Sequence, residues 1–434
     1  MHRLAAFWVS LRSSLWFVPS LIVLSAVILA LGFGELGRID ALSQASLPRF
    51  FGFSAEGSRA MLSAIASSMI TVAGVAFSIT IVALSLASTQ YSPRVLRHFM
   101  RDRSNQTVLG MFVGIFAYCL VVLPMVRGGE EHGYVPALAV TFGVALALVG
   151  VGCLIYFIHH VATAIQASAI VAVIAEETHR AIDKLFPESM GEEAPLAPEE
   201  LQHLHWTAVP APTSGMIQMV DDARLLKSAA THDVVVRMEC HIGDFVVRGM
   251  PLVSVSRALT GDEAFTKSVT NAFTINRTRT VEQDPAFGIR QIVDVALRAL
   301  SPSLNDTTTA ILCINYLGDL LTQAVTRKTA SPYRQYQGKL RVIATRGDFA
   351  DFVHLAFDQI RESGANNSTV LDRLLWAIET IGSRTQVAGR RQLLAEAARS
   401  IADVAQREMK SPSSRQSVTE RAERLVRLHA VNPL

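Results

Sequence analysis

The chain has 434 residues, half of them hydrophobic and only 18% charged, with a mean hydropathy of +0.31. A soluble domain carries about 25% charged residues, so the composition argues against a purely soluble enzyme. Forty Lys and Arg against 37 Asp and Glu leave a net charge of +3, which excludes a disordered polyelectrolyte or a nucleic-acid-coating protein.

The charge is unevenly spread. Residues 15–31, 61–87, 108–126 and 135–158 contain no Asp, Glu, Lys or Arg. The 77 charged residues share the other 347 positions, 22% of them, which is close to soluble composition. A helix needs roughly 20 apolar residues to cross the hydrocarbon core. The last three runs meet that length. The first is shorter, with Pro19 near its start, and reads either as a span or as a cleaved signal peptide. The expected organisation is a four-helix transmembrane domain over 1–160, a helical extension and linker over 161–200, a small β module over 201–275, a cytoplasmic α-helical domain over 276–410, and a helical tail over 411–434.

Short-loop Lys and Arg set orientation. Arg3, Arg12, Arg94, Arg97, Arg101 and Arg103 fall on one side of the four spans, and Arg38, Arg49, Arg59 and Arg127 on the other. This bias predicts both termini in the cytoplasm. The Arg94–Arg103 cluster has two readings: lipid-headgroup contact that fixes topology, or an anion-attracting pore mouth.

The second span is small and hydroxylated. Ser67, Thr71, Gly74, Ser78, Ser85 and Ser88 recur at steps of four and three, with Ile81 in the missing place, as a heptad stripe. Ile65, Met69, Val72, Phe77, Ile79 and Leu86 are assigned to the other face. Such a stripe either packs helices closely or lines a permeation path after oligomerisation. The charge-free runs lack the ionisable groups of proton relays and voltage sensors, which leaves room for a passive channel. Ser92-Pro93 is read as a helix stop and restart.

His159-His160 closes the fourth span. The pair has no i, i+4 partner, so interfacial histidines compete with a zinc site. The helical pattern continues to about residue 186, which predicts that the fourth helix runs on past the membrane. Pro187, Pro195 and Pro198 mark the linker. Cys119, Cys153, Cys240 and Cys313 show no metal-like spacing and read as reduced thiols packed as small apolar groups.

Val234-Val235-Val236 and Phe245-Val246-Val247 are β-branched runs bounded by Gly215, Gly243, Gly249 and Pro251. The phrase from Gly243 to Val253 resembles a repeat of biotinyl and lipoyl domains. The carrier lysine hairpin is missing, and Lys227 sits in a helix-like stretch. The expectation is a small β barrel-sandwich-like module without a covalent cofactor. Helices follow. Asp284-Pro285 is a cap with proline at N1, and Ser301–Asp306 is a turn that caps a helix over 307–326. Further helices are expected over 351–363, 368–381 and 386–409, with a charged tail over 411–434 that is exposed or an oligomer contact.

Gln283-Asp284-Pro285-Ala286-Phe287-Gly288-Ile289-Arg290-Gln291, Arg298–Asp306 and Ser88–Arg94 together resemble the signature of a bacterial family of predicted membrane proteins, catalogued as a domain of unknown function. Thr307 departs from that pattern, where proline is expected. The resemblance implies an inner-membrane location and brings no activity, ligand or catalytic residue.

Arg290, Asp294, Arg298, Asn305 and Asp306 read as a ligand site or as helix capping plus a buried ion-pair network. The sequence has no Walker motif, GxGxxG, HExxH or GxSxG. No catalytic, cofactor or metal site is expected. The fold class expected is an α-helical transmembrane bundle with a cytoplasmic α+β part. Two functions compete: an oligomeric channel or passive transporter, and a non-transporting scaffold or sensor whose cytoplasmic domain binds a protein or small ligand. A membrane enzyme ranks behind both. The expected partners are the lipid bilayer and further copies of the chain, with no nucleic acid.

Overall fold

Four helices are long and apolar enough to cross a membrane: Phe17–Leu36, Ala55–Leu86, Arg103–Met125 and Ala137–Ala164. They lie where the charge-free runs predict them. The computed structural model describes residues 16–43, 54–90, 102–127, 134–185, 192–193, 204–257, 262–327, 331–344 and 347–430. It forms two compact units, 1–169 and 170–434.

In the first unit, α1 is Phe17–Ser43, α2 is Ala55–Gln90, α3 is Arg103–Val122 and α4 is Ala137–Ala164. Of these, α2 begins before its charge-free run, α3 likewise, and α1 runs past the end of its own, each taking in charged residues. A helix continues past its first charged residues wherever their side chains reach water or a carbonyl. Arg59 shows this, donating to the Val126 carbonyl at 2.9 and 2.7 Å. The central helix is α3, which packs on α1, α2 and α4 and is twice as buried as the other three spans. Gly110 and Gly114 bring its backbone against Pro19, Ile22 and Ala26 of α1, the close approach that small residues allow in lipid. The Tyr118 hydroxyl donates to the Ala139 carbonyl at 2.8 Å, so its polar tip is satisfied inside the apolar bundle. Pro124 lies in the 3-10 turn Leu123–Met125 that follows α3.

The start of α3 is tied to the end of α4. Asp102 caps α3 by accepting from the Ser104 amide at 2.9 Å, and its other oxygen meets the His160 ring. Tyr156 stacks on that ring and donates to Ser104 Oγ at 3.2 Å. His160 therefore supplies an inter-helix contact, and no group of three metal-ligating side chains forms among the described residues.

The fourth helix does not run on uninterrupted. It stops at Ala164, turns through Ile165 and Gln166, and resumes as α5, Ala167–Leu185. Thr163 Oγ1 donates to the His159 and His160 carbonyls at 3.1 and 2.9 Å. That local bond gives two carbonyls of the last turn a side-chain donor where the helix stops.

The second unit combines two sheets with a helical bundle. Its elements are β1 (Glu192–Glu193), β2 (Thr207–Pro210), β3 (Gly215–Val220), α6 (Asp222–Thr231), β4 (Val236–Met238), β5 (Phe245–Val246), β6 (Pro251–Val255), α7 (Glu263–Thr270) and β7 (Phe273–Asn276). Then come α8 (Pro285–Ala299), α9 (Thr307–Thr326), β8 (Tyr333–Tyr336), β9 (Lys339–Ile343), α10 (Phe349–Ser363), α11 (Ser368–Gly382), α12 (Ala388–Glu408) and α13 (Pro412–Ala430). One sheet has the order β1-β8-β9-β4-β6-β2 and the other β5-β3-β7.

The sheet order departs from the expected division at residue 275. The β8–β9 hairpin belongs to a stretch assigned to a purely helical domain, yet β9 pairs with β4 in parallel, Val236 opposite Val342. The early strands are too short to cover the β core alone, and Val342 and Ala344 join it beside Val236, Leu252, Val253 and Phe265. Lys227 lies in α6, as its helix-like surroundings predict. Gly243 and Gly249 take φ of +93° and +91° in the turns on either side of β5.

In the bundle, α9 packs on α8 and α11, and α12 and α13 form an antiparallel pair that also covers α11. The tail is thus not merely exposed: Val418, Ala422, Leu425 and His429 of α13 are buried. All four cysteines are free thiols.

Candidate functional site

Two heptad stripes run along α2, on nearly opposite sides. Leu62, Ala66, Met69, Ala73, Ala76 and Ala83 are buried against the bundle. Ser67, Thr71, Gly74, Ser78 and Ser85 are exposed. The helix meets its own bundle through alanines and turns its hydroxyls away. Phe77, Ile79, Ile81 and Leu86 flank the hydroxyl stripe and are exposed too, so of the large residues assigned to the other face only Met69 is buried. A Cβ at Gly74 would meet nothing within 4 Å. Thr71 Oγ1 donates to the Ser67 carbonyl at 2.8 Å, and Ser78 Oγ to the Gly74 carbonyl at 2.9 Å. These hydroxyls keep lone pairs for an outside donor. The Ser88 side chain and Arg94, Arg97 and Arg101 lie outside the described residues. Arg103 opens α3 and is exposed.

The polar residues around 290–306 take separate tasks. Arg290 donates to Gln359 of α10 at 2.5 Å. Arg298 sits exposed in the last turn of α8, where a cation complements the helix dipole. Asn305 adopts left-handed backbone at φ 46°, a conformation asparagine tolerates. Asp306 caps α9, accepting from the Thr309 amide at 3.0 Å and the Thr309 hydroxyl at 2.6 Å. Those bonds hold its carboxyl below the ordinary carboxylate range. Asp294 lies between Arg290 and Arg298 on α8, half-buried. The bonds of Arg290 and Asp306 are those of helix packing and capping.

The signature residues before it build a joint between sheet and bundle. Gln283 Oε1 accepts from the Val220 amide at 3.0 Å. Asp284, 3% exposed, caps α8 and pairs with Arg279, whose guanidinium also lies over the Phe287 ring. Burial pushes the Asp284 carboxyl up, against the pull of Arg279 and the Phe287 amide. Gly288 lies directly against Thr178 of α5, whose hydroxyl donates to the Ile174 carbonyl at 2.6 Å. Arg279 and Thr178 were not singled out in the sequence, because nothing local marks a partner 110 positions away, as Gly288 is from Thr178.

The sequence profile described as "Predicted membrane protein (DUF2254)" matches residues 12–380. The chain is 32% identical over 439 aligned residues to the uncharacterized protein Rv1290c of Mycobacterium tuberculosis, covering 98% of this chain and 82% of that protein. The uncharacterized protein Mb1321c of Mycobacterium bovis matches to the same extent. No solved structure matches. A profile that spans most of the chain, together with relatives of this similarity and four apolar spans, shows that the chain belongs to the DUF2254 family of predicted membrane proteins.

Proposed function

We propose that this protein is a homo-oligomeric inner-membrane channel or passive transporter, with the hydroxyl stripe of α2 lining the path. The outward placement of Ser67, Thr71, Gly74, Ser78 and Ser85 carries this reading. Inside one chain these groups are not sealed against α3 or α4, and a ring of copies would bring them to a common axis. The uncharged spans support passive conduction over ion-pair-gated transport. The unit 170–434 is read as cytoplasmic, from the arginines at 94–103, and as a non-catalytic vestibule.

A second reading is favoured by the bonds of Thr71 and Ser78 to their own helix. Hydroxyls satisfied in this way tolerate lipid or a neighbouring helix, as a non-conducting scaffold or sensor requires. Reconstitution in liposomes separates the two. Flux is expected from wild type and its loss from Ser78→Leu. A verified oligomer that passes no ion under voltage or tension refutes the channel.

A further inference from the structure

The helix that follows the last span is held to the bundle by a chain of polar contacts. His179 Nδ1 lies 2.6 Å from Gln323 Oε1, and its Nε2 lies 3.0 Å from Asp319 Oδ2. Gln323 Nε2 in turn donates to Asp183 Oδ1 at 2.8 Å, and Arg327 pairs with the same carboxylate. Asp319 and Gln323 are on α9, Arg327 follows it, and His179 and Asp183 are on α5.

The direction of each bond follows from chemistry. An ionised carboxylate only accepts. Asp183 carries Arg327 as well, so it faces the amide nitrogen of Gln323, and the amide oxygen is left for His179. Asp319, 65% exposed, presents a carboxylate oxygen to the ring. Both ring nitrogens of His179 therefore face acceptors. A neutral imidazole donates from one nitrogen only, and only the imidazolium satisfies both.

We propose that α5 is latched to α9 by a proton on His179, so that the attachment of the helix following α4 is set by pH. Deprotonation turns one of the two contacts into lone pair against lone pair and loosens α5 along this edge. Among the described residues, the charged groups facing the ring are Asp319 from α9 and, one turn along α5, Asp183 with its partner Arg327. Arg180, next to His179, is engaged by Glu176. On its other side α5 is held by apolar contact, with Thr178 on Gly288 and Ala181 on Phe287 and Val281, so the polar edge can open while the helix stays folded. The latch acts in the direction base-open, acid-closed.

Hydrogen exchange of the full-length protein in nanodiscs, at about pH 6 and about pH 8.5 and corrected for intrinsic rate, tests this. Wild type is expected to lose roughly threefold to tenfold protection in 167–185 and 307–327 at the higher pH, the modest range befitting a partly solvated pair. Peptides of 368–382 serve as the reference. Asp319→Asn presents an amide that turns its nitrogen to a neutral ring, and is expected to keep its acid-pH protection at high pH. Equal wild-type protection at both pH values overturns the proposal, and so does an Asp319→Asn protein that loosens as wild type does.

Discussion

The His429 ring fills the place that a side chain at Gly382 would take: a Cβ there would lie 2.5 Å from Nε2 and 3.0 Å from Nδ1. The ring closes α13 onto the C-terminal end of α11. It is 5% exposed, and Nε2 has no hydrogen-bond partner.

That niche makes the docking of α13 acid-sensitive. Burial, and then the Arg391 guanidinium, hold the His429 imidazole below its ordinary value, with Glu379 opposing. The unfolded or undocked ring takes a proton more readily than the docked one. Stability is then complete above an ordinary histidine value of about 6.5 and falls as pH drops below it. Protection of 412–430 against hydrogen exchange should decline toward about pH 5 in wild type and stay level in His429→Leu. This dependence is opposite in sign to that of the α5 latch, so the two are separable in one titration.

A side chain at Gly288 is expected to disrupt the joint between α5 and α8. A Cβ there would lie 2.9 Å from Thr178 Cβ and closer still to its hydroxyl. The hydroxyl is buried and fixed on the Ile174 carbonyl, so it has no free direction to retreat. Gly288→Ala should cost about 1–3 kcal/mol, as overpacking does, read as a lower midpoint of thermal unfolding. Adding Thr178→Ala removes the hydroxyl and methyl and should recover part of the loss. An unchanged midpoint in Gly288→Ala would show that the two helices are not in contact.

The parts legible in the sequence are those whose causes are local. Residues 307–326 read as a helix because Asp306 caps it, and the structure ends the helix at the same two residues. The spans read from absence of charge, but their ends did not, since Arg59 finds its acceptor in a carbonyl 67 positions away. Strands β8 and β9 escaped because Tyr333–Tyr336 carries a polar pattern, and its only local mark is the Gln337-Gly338 turn with φ of 54° and 72°. The pairing that makes β9 a strand lies with β4. For the α2 stripe, spacing gave the period while the choice of face needed the alanines. The role of His179 depends on Gln323, 144 positions on, and no spacing rule reaches that far.

The bond from Tyr118 to the Ala139 carbonyl spans α3 and α4 inside the bundle. Tyr118→Phe keeps the ring, and with it the edge contact with Phe142 at 5.6 Å. It leaves one carbonyl short of one donor while that carbonyl keeps its second lone pair for the helix. The expected loss is about 1 kcal/mol, small enough for the variant to insert and purify. Tyr118→Ala removes the ring as well and should cost about 3–5 kcal/mol. Detergent-stability midpoints of the two variants should therefore differ several times more than Tyr118→Phe differs from wild type.

The two stripes of α2 predict opposite outcomes for one substitution. Ala76 is 3% exposed and sits in the alanine seam of the bundle. Leucine there has no room, and Ala76→Leu should destabilise the isolated chain by about 1–3 kcal/mol. Ser78 is two positions on and points outward. Ser78→Leu should leave the unfolding midpoint of a monomer within about 0.5 kcal/mol of wild type. If copies of the chain meet through the hydroxyl stripe, the bulk of leucine acts between chains instead, and the oligomer fraction seen by native mass spectrometry should fall in Ser78→Leu but not in a substitution elsewhere on the lipid face, such as Leu148→Ala. A Ser78→Leu protein with wild-type assembly would remove the stripe from any interface between copies. Destabilisation of the monomer equal to that of Ala76→Leu would show instead that the outward face of α2 is packed.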